Sequence, residues 1–127
     1  MLIVDSLITD SAAGATAFAC GIKTYNRAIG MDPLKRPCGT VLEAARRQGY
    51  KTGMVVTAKI TDATPACFAS HVVDRDYENT IAEHLIGNGL LNRSVDLMFG
   101  GKSLSFRKLR VGDNGRWTVS LSSEGTS

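Results

Sequence analysis

Lys51-Thr52-Gly53-Met54-Val55-Val56-Thr57 is the stretch whose reading decides the fold class. It is an apolar, β-branched run opened by glycine, and it reads as a buried strand. Ser94-Val95-Asp96-Leu97-Met98-Phe99, closed by Gly100-Gly101, reads as a second strand. Between them lie a polar segment, 59–65, a small-residue helical stretch at about 66–72, and a helix predicted over about 76–86 and ended by Gly87. In that last helix Tyr77, Ile81 and Leu85 recur at helical spacing and predict one apolar face. Strand, helices, strand is a βαβ unit, which sets the two strands parallel. The fold class is therefore α/β: a partial, mostly parallel sheet with flanking helices. Two strands are too few for a sheet standing alone, so part of the fold is expected to lie outside this sequence.

Working toward the N-terminus, Asp10-Ser11-Ala12-Ala13-Gly14-Ala15-Thr16-Ala17-Phe18-Ala19-Cys20-Gly21 predicts a short helix over about 11–20. Asp10 or Ser11 stands at the N-cap position and Gly21 at the C-terminal stop. Segment 22–38, with Gly30, Pro33 and Pro37, reads as a surface loop. Thr40 and Glu43 have the spacing of a capping box that opens a second helix, which Gly49 ends. The Arg46-Arg47 pair in its last turn reads as a solvated helix end facing the negative pole of the dipole. Beyond Gly101 the periodicities decay. Residues 1–101 read as a partial domain and 102–127 as a divergent, poorly ordered tail, with a hairpin expected around Asn114-Gly115.

The chain has 127 residues, at most one ordinary domain, with 43% hydrophobic and 21% charged residues, a composition that suits a folded core. Lys and Arg total 15 against 12 Asp and Glu, a net charge of +3, too small to point to nucleic acid as a partner. Residues 1–100 hold ten basic and ten acidic side chains, so the whole excess lies in the last 27. Cys20, Cys38 and Cys67 form no C-x-x-C pair and read as three small buried thiols rather than a disulfide framework or a zinc site. No apolar run of about 18 residues predicts a membrane span, and the first residues lack the order of a signal peptide.

Three places could carry chemistry. A serine at the start of a helix, Ser11, lies in the field of unpaired N–H groups that favour an anion, although Asp10 or Ser11 could instead serve only as the cap. No G-x-S-x-G motif accompanies it, so its hydroxyl would need a metal for activation. Asp62 and Thr64, in Thr61-Asp62-Ala63-Thr64-Pro65 just past the first strand, could offer oxygens to a hard cation such as magnesium, or could simply form a turn. Arg75 offers a planar fork matched to phosphate oxygens, with a surface ion-pair cluster among Asp74, Arg75 and Asp76 as its plainer alternative. His71 and His84 read as packing or surface residues rather than zinc ligands.

Taken in order, these residues resemble the alkaline phosphatase family. Ile8-Thr9-Asp10-Ser11-Ala12-Ala13-Gly14-Ala15-Thr16 is similar to its nucleophile signature. Residues 38–45, 49–53, Ile60-Thr61-Asp62-Ala63-Thr64-Pro65-Ala66, Ser70-His71-Val72 with Arg75, 81–84 and 95–101 continue the likeness, most closely to microbial and vacuolar members. The resemblance implies a phosphoric monoester hydrolase with two zinc ions and one magnesium. It implies that Ser11, bound to a zinc, is the nucleophile that becomes a phosphoserine. It further implies that Arg75 grips two phosphate oxygens, that Asp10 orients it, and that Asp62 and Thr64 are magnesium ligands. Family members are often homodimeric, and are secreted, periplasmic, membrane-anchored or vacuolar. The family chain is several times longer, and its zinc-ligating residues fall outside the matched stretch. The expectation is therefore a fragment of weak or no activity, the alternative being a catalytically inactive phosphate- or partner-binding module.

Overall fold

The computed structural model describes residues 6–101, 109–111 and 117–119. The first helix, α1 (Ser11–Cys20), has both predicted ends: Asp10 caps it, and Gly21, at φ 72°, closes it with an N–H bond to the Ala17 carbonyl. Helix α2 (Val41–Arg47) opens with the expected capping box, Thr40 Oγ1 accepting from Glu43 N–H while the Glu43 carboxylate accepts from Thr40 N–H. Such a cap contributes about 1 kcal/mol. Strand β1 (Gly53–Lys59) leads into a one-turn helix, α3 (Ala63–Ala66), and then α4 (Glu78–Glu83), which runs on into a π-helical turn at His84–Asn88. Strand β2 (Leu97–Gly101) pairs parallel with β1, Gly53 opposite Leu97 and Val55 opposite Phe99. The βαβ reading and the α/β class hold.

Several local expectations are corrected. Strand β1 is not buried on both faces: Met54 faces the core while Val55 and Thr57 face outward, the period-2 alternation of a sheet covered on one side. The small-residue helix forms earlier than 66–72, because Asp62 supplies a cap to Ala63 N–H at 2.8 Å. On α4 the apolar face is Ile81 and Leu85, both fully buried, whereas Tyr77 stands outside the helix and exposed. Segment 22–38 is not merely a surface loop. Its middle turns inward, Ile29 bridging to Val72 and lying wholly buried beside Ala28.

Cys20 and Cys38 form a disulfide, with Cα atoms 6.0 Å apart, and only Cys67 is a free buried thiol. The inward turn of the loop is what returns Cys38 to the end of α1, a path that spacing alone does not reveal. Arg46 is no solvated helix end, since it pairs with Asp96 at 3.2 Å and ties α2 to the segment entering β2. Strands β3 (Leu109–Val111) and β4 (Trp117–Val119) pair antiparallel. The expected turn at Asn114-Gly115, and most of the expected tail, lie outside the described residues.

The core that positions the site is built from small side chains. Ala12 and Ala15 of α1 lie among the buried residues with Ala63 and Ala66 of α3, and Cys67 Sγ reaches the Ala12 carbonyl at 3.3 Å. Alanines permit the two helices to approach closely, and that approach brings the start of α1 beside the start of α3.

Candidate functional site

Of the two possible caps it is Asp10 that closes α1. Its Oδ1 accepts from Ala13 N–H at 2.8 Å and its carbonyl from Gly14 N–H at 3.0 Å. Ser11 is therefore free of capping duty and stands exposed in the first helical turn, at the positive end of the dipole. Loop residues hold this corner from outside: Asp10 N–H donates to Asn26 Oδ1 at 3.0 Å, and Arg27 N–H donates to Asp10 Oδ2 at 3.0 Å.

Arg75 lies in the turn between α3 and α4. Its Nη1 donates to Ser11 Oγ at 2.6 Å and its Nη2 to Asp62 Oδ1 at 2.9 Å, with Asp10 Oδ2 3.6 Å from Nη1. Ser11 and Arg75, 64 residues apart in sequence, thus share one corner with Asp10 and Asp62. Thr64 is exposed in the single turn of α3, two residues past Asp62, and no hydrogen bond among the described residues joins it to this corner. The Asp62 carboxylate and the Thr64 hydroxyl are hard oxygen donors of the kind magnesium takes.

Among the described residues Arg75 makes its ion pairs with Asp10 and Asp62 and none with Asp74 or Asp76, although its charge still acts on Asp74. Asp74 and Asp76 pair instead with Arg27, whose Nε lies 2.8 Å from Asp74 Oδ2 and whose Nη2 bonds Asp76. Sequence reasoning missed Arg27. Its one local signal is an arginine inside a turn-forming Tyr-Asn-Arg stretch.

Neither histidine is placed for a metal. His71 is buried, with Nδ1 2.7 Å from the Gly30 carbonyl and Nε2 2.6 Å from Glu43 Oε1. Both ring nitrogens face acceptors, so the ring carries both protons opposite a carboxylate. His84 Nδ1 meets Ser70 Oγ at 2.9 Å and accepts the His71 N–H at 3.3 Å. Among the described residues there is no group of three or more His, Cys, Asp or Glu arranged to hold a metal ion.

Burial alone would lower the His71 pKa, but the Glu43 hydrogen bond and the Gly30 carbonyl outweigh it and raise the value above 6.5. Burial likewise opposes the Glu43 charge, and the bonds to His71 and Thr40 overcome it, holding that carboxyl below 4.5. The His71 contribution to stability is therefore full below pH 6.5 and is lost as pH rises through its raised value. The Glu43 contribution is full above pH 4.5 and is lost as pH falls through its lowered value. His84 acts oppositely to His71: burial and the neighbouring His71 charge lower its pKa, so its contribution is lost as pH falls below 6.5. The stability gap between wild type and Glu43→Gln in urea melts is expected to shrink by on the order of 1 kcal/mol from pH 6 to pH 9. A gap independent of pH would show that the pair does not share a proton as drawn.

A family model described as alkaline phosphatase matches residues 2–119. The repressible alkaline phosphatase of Saccharomyces cerevisiae is 66% identical over 97 residues, which cover 76% of this chain and 17% of that protein. The alkaline phosphatase of Schizosaccharomyces pombe is 59% identical over 101 residues, 80% of this chain and 19% of that protein. The chain thus spans less than a fifth of either relative. Among solved structures, a magnesium-bound histidine-to-aspartate variant of the alkaline phosphatase from the Antarctic bacterium TAB5 superposes with a TM-score of 0.69 at 45% identity, over 74% of this chain and 26% of that one.

Proposed function

The chain belongs to the alkaline phosphatase family, and we propose that it carries the nucleophile and the phosphate clamp of a phosphomonoesterase site. One observation carries this reading: a single guanidinium, Arg75, reaches both the hydroxyl of Ser11 and the carboxylate of Asp62. A phosphate monoester dianion entering the corner would take the place of Ser11 and Asp62 on the Arg75 fork, two oxygens to two N–H groups. Its charge would face the open end of α1, where backbone N–H groups are directed.

In a completed site Ser11 Oγ would attack phosphorus in line, its proton passing to the leaving alcohol. The ester P–O bond breaks, the alcohol leaves with a proton, and an Oγ–P bond makes a phosphoserine. Water attacks the same phosphorus, the Oγ–P bond breaks, and inorganic phosphate and the Ser11 hydroxyl are restored. Throughout, Arg75 holds the equatorial oxygens, while Asp10 fixes α1 and so the direction of the Ser11 Cβ–Oγ bond. The Asp62 carboxylate and the Thr64 hydroxyl would supply oxygens to a magnesium ion, which would add positive charge beside the phosphoryl group. Two zinc ions do not fit the described residues, since both histidines are committed to Glu43, Gly30 and Ser70. The family resemblance also implies pairing with a second copy, which belongs to the same proposal.

Calorimetric titration of the 127-residue chain with inorganic phosphate tests this reading, with one-site binding as the expected result. With an aryl phosphate, zinc and magnesium, the chain alone is expected to turn over little or not at all. A flat titration would sink the phosphate clamp, and robust Ser11-dependent hydrolysis would sink the claim that zinc does not fit.

A further inference from the structure

We propose that Arg27 is a positioning residue for the phosphate clamp: by engaging Asp74 and Asp76 it keeps these two carboxylates off Arg75, which stands between them in sequence. The inference rests on the reading of Arg75 as the phosphate ligand. Arg27 makes a fork on Asp74, Nε to Oδ2 at 2.8 Å and Nη2 to Oδ1 at 3.0 Å, and Nη2 also bonds Asp76 Oδ2. Asp76 N–H closes the turn onto Asp74 Oδ1 at 2.9 Å, so the carboxylates on either side of Arg75 are held as one unit. Two anions adjacent to a cation would otherwise compete for its guanidinium with any incoming phosphate. With both committed to Arg27, the Arg75 fork is turned to Ser11 and Asp62 instead.

The backbone marks the same role. Arg27 has φ +76°, a left-handed conformation uncommon for a residue with a side chain, in a loop where glycine would sit without cost. That conformation aims its N–H at Asp10 Oδ2 and its side chain at Asp74, so one residue links the start of α1 to the Arg75 segment. Exposed ion pairs add little to stability, and the Arg27 side chain is 46% exposed, so the pairing serves orientation more than folding. The Arg27 hydrogen bond holds the Asp74 carboxyl below its ordinary range, so the pairing is lost only as pH falls through that lowered value.

Arg27→Gly tests this, because it keeps the N–H bond to Asp10 and relaxes the backbone while removing only the fork. Inorganic phosphate affinity is expected to fall about tenfold as Asp74 and Asp76 capture Arg75 for most of the time, with the melting temperature nearly unchanged. Adding Asp74→Asn and Asp76→Asn to Arg27→Gly is expected to restore affinity, whereas the same two changes beside an intact Arg27 gain much less. The Arg75 guanidinium Nε–H signal, followed by nitrogen-15 NMR without phosphate, should shift in Arg27→Gly and return in the triple variant. An unmoved Arg75 signal, or equal gains from the asparagines in both backgrounds, overturns the proposal. If wild type binds no phosphate while the signal moves and returns as stated, the reading of Arg75 as phosphate ligand fails and the positioning by Arg27 stands.

Discussion

Arg75→Ala is expected to weaken the binding of inorganic phosphate by about a hundredfold or more, since two charge-assisted bonds are lost together. The loss is compounded by what remains. Asp10 and Asp62, which flank the guanidinium at 3.6 and 2.9 Å, would then face the incoming dianion without a compensating cation. Arg75→Lys keeps the charge but not the fork, and an intermediate loss is expected. Ser11→Ala should bind phosphate nearly as well as wild type, because it removes a hydroxyl that phosphate displaces from Arg75. The Arg75 side chain is one-quarter exposed and its polar partners are Ser11, Asp10 and Asp62 at the edge of the fold, so circular dichroism of Arg75→Ala should stay native. Calorimetry on the three variants decides the matter. Equal affinities for wild type and Arg75→Ala would remove the clamp from this corner.

Gly30→Ala is expected to cost more than about 4 kcal/mol and to abolish the cooperative melting transition, an effect at the upper end for single substitutions. Gly30 has φ +56°, and a Cβ there would lie 2.4 Å from the Ser70 carbonyl oxygen and 2.7 Å from His71 Nδ1. Neither neighbour can yield cheaply. One is backbone, and the other is clamped between the Gly30 carbonyl and Glu43. Gly30 is also where three hydrogen bonds meet: its N–H goes to Thr16 Oγ1, and its carbonyl accepts from Cys38 N–H and His71. Gly21→Ala supplies the comparison. Its φ of +72° is similarly left-handed, yet a Cβ there meets nothing within 4 Å, so only the conformational cost of about 1–2 kcal/mol applies. Melting curves that place the two variants within 1 kcal/mol of one another, by the ordinary scale of such effects, would show that steric exclusion at Gly30 is not what the geometry says.

Local signals were legible because they depend on residues a few positions apart. Asp10 and Gly21 delimit α1, Thr40 and Glu43 open α2, and two apolar runs separated by helices imply parallel strands. In each case the deciding interaction closes within one turn or one ladder, so the residue types at fixed offsets suffice. Segment 22–38 departs from its sequence signals for the opposite reason. Its glycine and prolines speak of turns, but the burial of Ile29 against Val72 and the joining of Cys20 to Cys38 depend on where distant chain comes to lie.

The candidate site divides in the same way. Ser11, Asp10, Asp62, Thr64 and Arg75 could each be picked out as a residue type in a suggestive local setting, and the motif order assigned them to one family. The sequence by itself determined the α/β class, the helix that presents Ser11 and the family. Only the tertiary structure decided which cap frees Ser11, that Arg75 turns to Ser11 and Asp62, and that Arg27 takes the two aspartates beside it. A guanidinium with several carboxylates in reach is a competition among near-equal Coulomb attractions, and its outcome is set by distances that packing fixes and composition does not.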